Sequence, residues 1–201
     1  MKKIFTFVLA GAMVLSMVGC SSSNPGTTPA TNSGTGNTQQ EIAADIQDPD
    51  LFKSMKTLDL EGNPVDTSAF AENKVTLVNV WNIGCTPCIQ ELGILDKLNK
   101  EYEGKGVAIR GLYNNFSTEI SAEERAEIKE ILAAEGAEFP QWQLSQDMLD
   151  TDTFQGWSFF PGTFLVDSEG NIIDDVIKGS NDYEGWKSVI EDALTQVDKN
   201  A

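Results

Sequence analysis

The chain has 201 residues, with 31 Asp and Glu against 14 Lys and Arg, a net charge of −17, three cysteines and no histidine. Acidity of this strength repels phosphate backbones and excludes a nucleic-acid partner. The missing histidine excludes Ser–His–Asp triads, Cys–His hydrolases and His-ligated haem or zinc.

The chain opens on Lys2 and Lys3, followed by a mainly apolar, uncharged run from Ile4 to Val18, and then Gly19 and Cys20. The run is about 15 residues, short of the roughly 20 needed to span a bilayer. Small residues at its end suit a signal peptidase. The pattern resembles a lipoprotein signal, which implies removal of residues 1–19 and a lipid on Cys20, holding the protein on the outer face of the cell membrane. An uncleaved anchor or an ordinary secretory peptide is the alternative. Residues 21–40 contain only Ser, Thr, Asn, Gly, Pro, Ala and Gln. Such a segment cannot bury enough surface to offset its ordering entropy, so residues 20–45 are expected to form a lipidated tether. Residues 46–201 suffice for one compact domain.

Within that domain, Thr57 to Asp66 reads as a small hairpin around Glu61-Gly62-Asn63-Pro64. Lys74 to Trp81, KVTLVNVW, has the composition of a strand buried on both faces. Ile89, Leu92, Leu95, Leu98 and Tyr102 then recur at helical spacing, with Gly104 and Gly106 ending the helix. Val107 to Tyr113 is a second buried strand, completing a βαβ unit. Ser121 and Glu124 form a capping box for a helix reaching about Glu135, with Ile128, Ile131 and Leu132 on its apolar side. Phe139 to Leu144 is a short strand, and Gln146 to Gly156 is irregular or weakly helical. Thr163 to Asp167 and Ile172 to Ile177 form a hairpin through Ser168-Glu169-Gly170-Asn171. A helix from Tyr183 to Val197 closes the chain, with Trp186, Val189, Ile190, Ala193 and Leu194 inward.

If Cys20 carries lipid, its sulfur is a thioether, which leaves Cys85 and Cys88 as the chain's free pair. Two cysteines do not complete a structural zinc site, so no metal is expected, and redox exchange is the chemistry left to them. The pair lies where a strand passes into a helix. There the first cysteine meets unpaired N–H groups and the positive end of the helix dipole, which stabilise a thiolate. Pro87 suits the first helical turn. Cys85 would attack a substrate disulfide, and Cys88 would then attack the Cys85 sulfur and release the reduced product.

The stretches VTLVNVWNIGCTPCIQEL and FPGTFLVDSEGNII, in this element order, resemble thioredoxin-like proteins of the TlpA/ResA type from about Leu58 to Val197. The resemblance implies an α/β thioredoxin-like fold, a central mixed β-sheet flanked by helices, with an N-terminal β-hairpin and one helical insertion. It implies a cis peptide at Pro161 and a groove in which a substrate strand pairs with the backbone of Phe160. It extends substrate contact to Trp81, Thr86 and Pro87. Trp157 and Phe159 flank the groove or belong to the core. Glu91 falls on the family's acidic position, where it tunes the pair and accepts a proton; the alternative is a solvated helix glutamate. Asn79 stands where thioredoxin has a buried Asp. Two departures, Gly84 in place of an aromatic residue and Gly93 in place of a helix-bending proline, bear on the shape of the groove.

The function expected from the resemblance is reduction of client protein disulfides outside the cytoplasm, by a monomer with no cofactor beyond the Cys85–Cys88 disulfide. Clients in relatives include apocytochrome c and methionine sulfoxide reductase, and electrons would come from a membrane thiol donor of the CcdA/DsbD type. A disulfide oxidase of the DsbA kind is the alternative in the same class, although such enzymes carry a larger helical insertion than Glu119 to Glu135 provides. Peroxiredoxins need Pro and Thr or Ser where this chain has Val78 and Asn82. A non-enzymatic client-binding surface lipoprotein is the remaining alternative.

Overall fold

A computed structural model describes residues 48–200. The signal, Cys20 and the tether through residue 45 lie outside the described residues. In chain order, β1 (Lys56–Leu58) and β2 (Pro64–Asp66) form the N-terminal hairpin, and a 3-10 turn follows at Thr67–Phe70. Next come β3 (Val75–Trp81), α1 (Thr86–Glu101), β4 (Val107–Tyr113), α2 (Ala122–Glu135) and β5 (Gln141–Gln143). Short helices α3 (Gln146–Leu149) and α4 (Asp152–Gln155) precede β6 (Gly162–Asp167), β7 (Ile177–Lys178) and α5 (Tyr183–Asn200). The main sheet has the order β5-β4-β3-β6-β7. β3, β4 and β5 are parallel, and β6 and β7 are antiparallel to their neighbours.

Every residue of β3 is buried, because the strand is central and covered on both faces. Side chains alternate as the pleat requires. Val75, Leu77 and Trp81 meet α1, α2 and α5, while Val78 and Val80 meet Phe52, Phe70, Trp142 and the α3–α4 segment. Each fully buried side chain of this kind contributes roughly 1.5–3 kcal/mol. Trp186, Ile190 and Ala193 fix α5 against the first face.

Helix starts follow local capping chemistry. The Ser121 hydroxyl accepts the Glu124 N–H at 3.1 Å, as the capping box predicts, and Gly136 closes α2 in the left-handed region. Ser145 and Thr151 cap α3 and α4, which divides the weakly helical stretch into two short helices. The last hairpin departs from the expected continuous partner strand. Gly162 and Thr163 face Lys178 and Ile177, but Val166 faces Ile172. Three steps along β6 thus span five on the return chain, and two residues bulge out. The bulge falls at the adjacent acids Asp174 and Asp175, which turn to solvent while Val176 stays buried.

Candidate active site

Cys85 is the N-cap of α1, and its sulfur accepts the Cys88 N–H at 3.2 Å. The two sulfurs are bonded at 2.04 Å. The pair is asymmetric: Cys85 keeps 9% of its surface and Cys88 none. Of the two sulfurs, that of Cys85 is the less enclosed, and it lies at the helix end that favours a thiolate. Thr86 and Pro87 are exposed beside it. Asn82 shapes the loop before the pair, accepting the Gly84 N–H on its side-chain oxygen at 2.7 Å and donating to the Asn114 carbonyl at 2.9 Å.

The Phe160–Pro161 peptide is cis. Gly162 pairs with Val80, so Pro161 continues on opposite the end of β3, next to the cysteine loop. Phe160 is partly exposed and packs on the cluster that holds both cysteines. Trp157 belongs to the core: it is 5% exposed and lies among Phe154, Phe159 and Phe164, with ring centroids 4.4–5.6 Å away. Phe159 is partly buried under the Lys178 ammonium, which lies 4.8 Å from its ring centre.

Trp81 requires a correction. It is wholly buried, edge-on to Tyr113, with its indole N–H donated to Gln141 Oε1 at 2.9 Å. It offers no surface to a substrate and instead braces the end of β3 from below. Gly93 is also reinterpreted. A Cβ there would stand 2.7 Å from the Glu135 carbonyl oxygen, so its lack of a side chain serves close approach of α1 and α2.

Glu91 is 1% exposed, on the same helix face as Cys88, Leu92 and Leu95. The solvated-glutamate alternative therefore fails. Asn79 Nδ2 donates to Oε1 at 2.9 Å; Trp186 Nε1 and the Asn181 backbone N–H donate to Oε2 at 2.9 and 3.2 Å. Burial pushes the carboxyl up to about 7, against the lowering pull of the donors Asn79, Trp186 and Asn181. Asn79 also donates to Thr163 Oγ1 at 3.0 Å, which ties β3, α1 and β6 through one amide. Trp186 and Asn181 are the donors that the sequence did not reveal. Trp186 read only as an inward apolar residue, although a buried indole N–H usually finds an acceptor.

The sheet order, the cis proline and a cysteine pair capping the helix after the central strand define a thiol–disulfide oxidoreductase of thioredoxin-like fold. The profile of the Redoxin family matches residues 36–194, and the chain belongs to that family. The thioredoxin-like protein YneN of Bacillus subtilis (strain 168) is 28% identical over 134 residues, 67% of this chain and 71% of that protein. Among solved structures, a thioredoxin-family thiol:disulfide interchange protein from Chlorobium tepidum TLS superposes with a TM-score of 0.57 at 20% identity, covering 70% of this chain and 93% of that one. StoA from Bacillus subtilis gives 0.51 at 18% identity, covering 67% and 93%.

Proposed function

We propose that the chain is a reductase of client protein disulfides, held outside the cytoplasm by a lipid on Cys20. The observation that carries the exchange mechanism is the asymmetry of the pair: Cys85 is reachable at a helix N-terminus and Cys88 is sealed behind it. In the reduced protein, the Cys85 thiolate attacks one client sulfur, and the other client sulfur leaves as a thiolate that takes a proton. Cys88 then gives its proton to the Glu91 carboxylate and attacks the Cys85 sulfur. This closes the Cys85–Cys88 disulfide and releases the second client thiolate. Two electrons have passed to the client, and a membrane dithiol donor of the CcdA/DsbD type restores them. Glu91 suits the proton step because its pKa near 7 lets it hold or release a proton at neutral pH. Thr86, Pro87, Phe160 and Pro161 flank Cys85 and supply the client contact. Apocytochrome c and methionine sulfoxide reductase remain the client classes that the TlpA/ResA resemblance offers. The modest α2 insertion, 14 residues, supports the reductase over an oxidase of the DsbA kind.

The test is trapping in cells with Cys88→Ser. It should accumulate mixed disulfides through Cys85, which a further Cys85→Ser change removes, and the protein should leave the membrane fraction on Cys20→Ala. Absence of any trapped species, together with no dithiol-driven insulin reduction by the purified protein, would sink the exchange reading. A pair potential near that of a strong oxidant, about −120 mV, would reverse the assigned direction.

A further inference from the structure

Phe116, in the loop between β4 and α2, is 55% exposed. Single exposed apolar residues are ordinary, but three observations set this one apart. Its φ is +58°, the one positive φ at a non-glycine position among the described residues, a region that bulky side chains rarely enter. That backbone is held from beneath: wholly buried Asn114 accepts the Phe116 N–H at 2.8 Å, and Asn115 accepts the Ser117 N–H at 3.0 Å while donating to the Glu124 carboxylate at 3.1 Å. The ring is also placed at the exchange site. It meets Phe160 edge-on, with centroids 5.8 Å apart, directly before cis Pro161. On its other side, the Asn114 carbonyl is bound by Asn82, three residues before Cys85.

The three stretches that meet here are 82–87, 114–118 and 158–161, and none contains a charged residue, although the chain carries 31 acids and 14 bases. Charge reaches these stretches only from their neighbours, the Lys178 ammonium over Phe159 and the Glu124 carboxylate bonded to Asn115, so a rim with one outward aromatic ring does not call for a charged partner. It matches an apolar one, and exchange at Cys85 is what brings a partner chain across it.

We propose that Phe116 is a specificity contact. It receives an aromatic or aliphatic side chain next to the client's disulfide and so selects client chains with an apolar residue beside the cysteine. This rests on the reading of Cys85–Cys88 as the exchange site. The bound side chain covers the outer face of the Phe116 ring, whose inner edge is taken by Phe160. The side chains of Asn114 and Asn115 hold the loop backbone that keeps the ring outward before the client arrives, so little ordering accompanies binding.

The experiment uses the full-length protein in lipid nanodiscs and two peptides with an internal disulfide, identical except for Phe or Ser beside one cysteine. A small uncharged disulfide, oxidised 2-mercaptoethanol, serves as the third substrate. Wild-type kcat/KM for the Phe peptide should exceed that for the Ser peptide by about tenfold, in the range one apolar contact supplies. In Phe116→Ser this ratio should fall to near one, in Phe116→Leu it should largely survive, and the small disulfide should be reduced at the wild-type rate in all three proteins. A ratio near one in wild type, or a ratio that persists in Phe116→Ser, overturns the proposal while leaving the exchange reading intact. Failure to reduce even the small disulfide overturns both. If Phe116→Ser instead converts a dimer to a monomer by light scattering with the ratio unchanged, the ring is covered by a second copy and the proposal is wrong.

Discussion

A carboxyl group screened from water holds its proton more tightly in the folded chain than in the unfolded one, and Glu91 is such a group. Its folded pKa of about 7 lies above the ordinary value of 4.5. Between these values the folded protein carries the extra proton, so stability falls as pH rises from about 4.5 to about 7 and is level beyond. The whole change is on the order of 3 kcal/mol. Glu91→Gln should abolish this slope. Its amide keeps the Trp186 and Asn181 N–H groups paired through oxygen. The Asn79 amide, whose oxygen lacks a protein partner, can turn over to accept the new N–H. Urea denaturation of the oxidised protein, in which neither cysteine titrates, should show wild type losing stability from pH 5 to pH 8 and Glu91→Gln staying flat. Trp186→Phe removes one donor to the carboxylate and should move the wild-type midpoint upward. Equal slopes in wild type and Glu91→Gln would place the titrating group elsewhere. The family resemblance pointed to Glu91 as the acid beside the pair, but not to the groups that hold it. The Cys-Thr-Pro-Cys and Phe-Pro-Gly segments announce themselves because their chemistry is local. The donors to Glu91 come from residues 12, 90 and 95 positions away, and only the folded chain brings them together.

Strands and helices were more legible than their contacts, because periodicity records which face is buried but not what it touches. KVTLVNVW reads as a central strand and is one. The return strand after Gly170 also looks continuous in sequence, since the two-residue bulge at Asp174–Asp175 leaves Ile172, Ile173, Val176 and Ile177 looking like one apolar run. Trp81 misled for a related reason. Adjacency to the cysteines in sequence suggests the groove, but side chains alternate along a strand, and this one points into the core toward Gln141. Gly111 makes that contact possible. A Cβ there would lie 1.8 Å from Gln141 Oε1, on the strand paired with β5. Gly111→Ala should expel the carboxamide and leave the buried Trp81 N–H without an acceptor. The expected cost is about 2–4 kcal/mol, from one unsatisfied buried donor plus local overpacking. It would be read as a lower denaturation midpoint with an unchanged urea slope. A midpoint within experimental error of wild type would show that the Gln141–Trp81 bond does not brace β3.

At the scale of the molecule, the chain carries an excess of 17 negative charges, while the stretches 82–87, 114–118 and 158–161 around the cysteine pair contain no charged residue. The two features act over different distances. Contact at the rim is governed by apolar fit, while approach is governed by the field of the whole protein, which reaches about one Debye length, roughly 10 Å at 0.1 M salt. That field repels anionic membrane surfaces as well as anionic substrates, so an exchange domain of this charge stands off a lipid headgroup layer unless something tethers it. It also discriminates among disulfides before any contact is made. For the reduced protein, reaction with the cationic disulfide cystamine should slow severalfold as salt is raised from about 10 mM to about 300 mM, while reaction with dianionic oxidised glutathione should quicken. Following each probe against itself removes differences in intrinsic reactivity, because salt changes the encounter and not the leaving group. Stopped-flow tryptophan fluorescence can follow the oxidation, since Trp81 packs in the same cluster as both cysteines. Rates that are insensitive to salt for both probes would mean that the acids lie too far from Cys85 to steer encounter. Their role would then be confined to keeping the domain soluble. Opposed salt slopes would mean that clients are selected twice, by charge at a distance and by apolar fit at the rim on contact, so that the favoured disulfide lies in an apolar stretch of an otherwise basic chain.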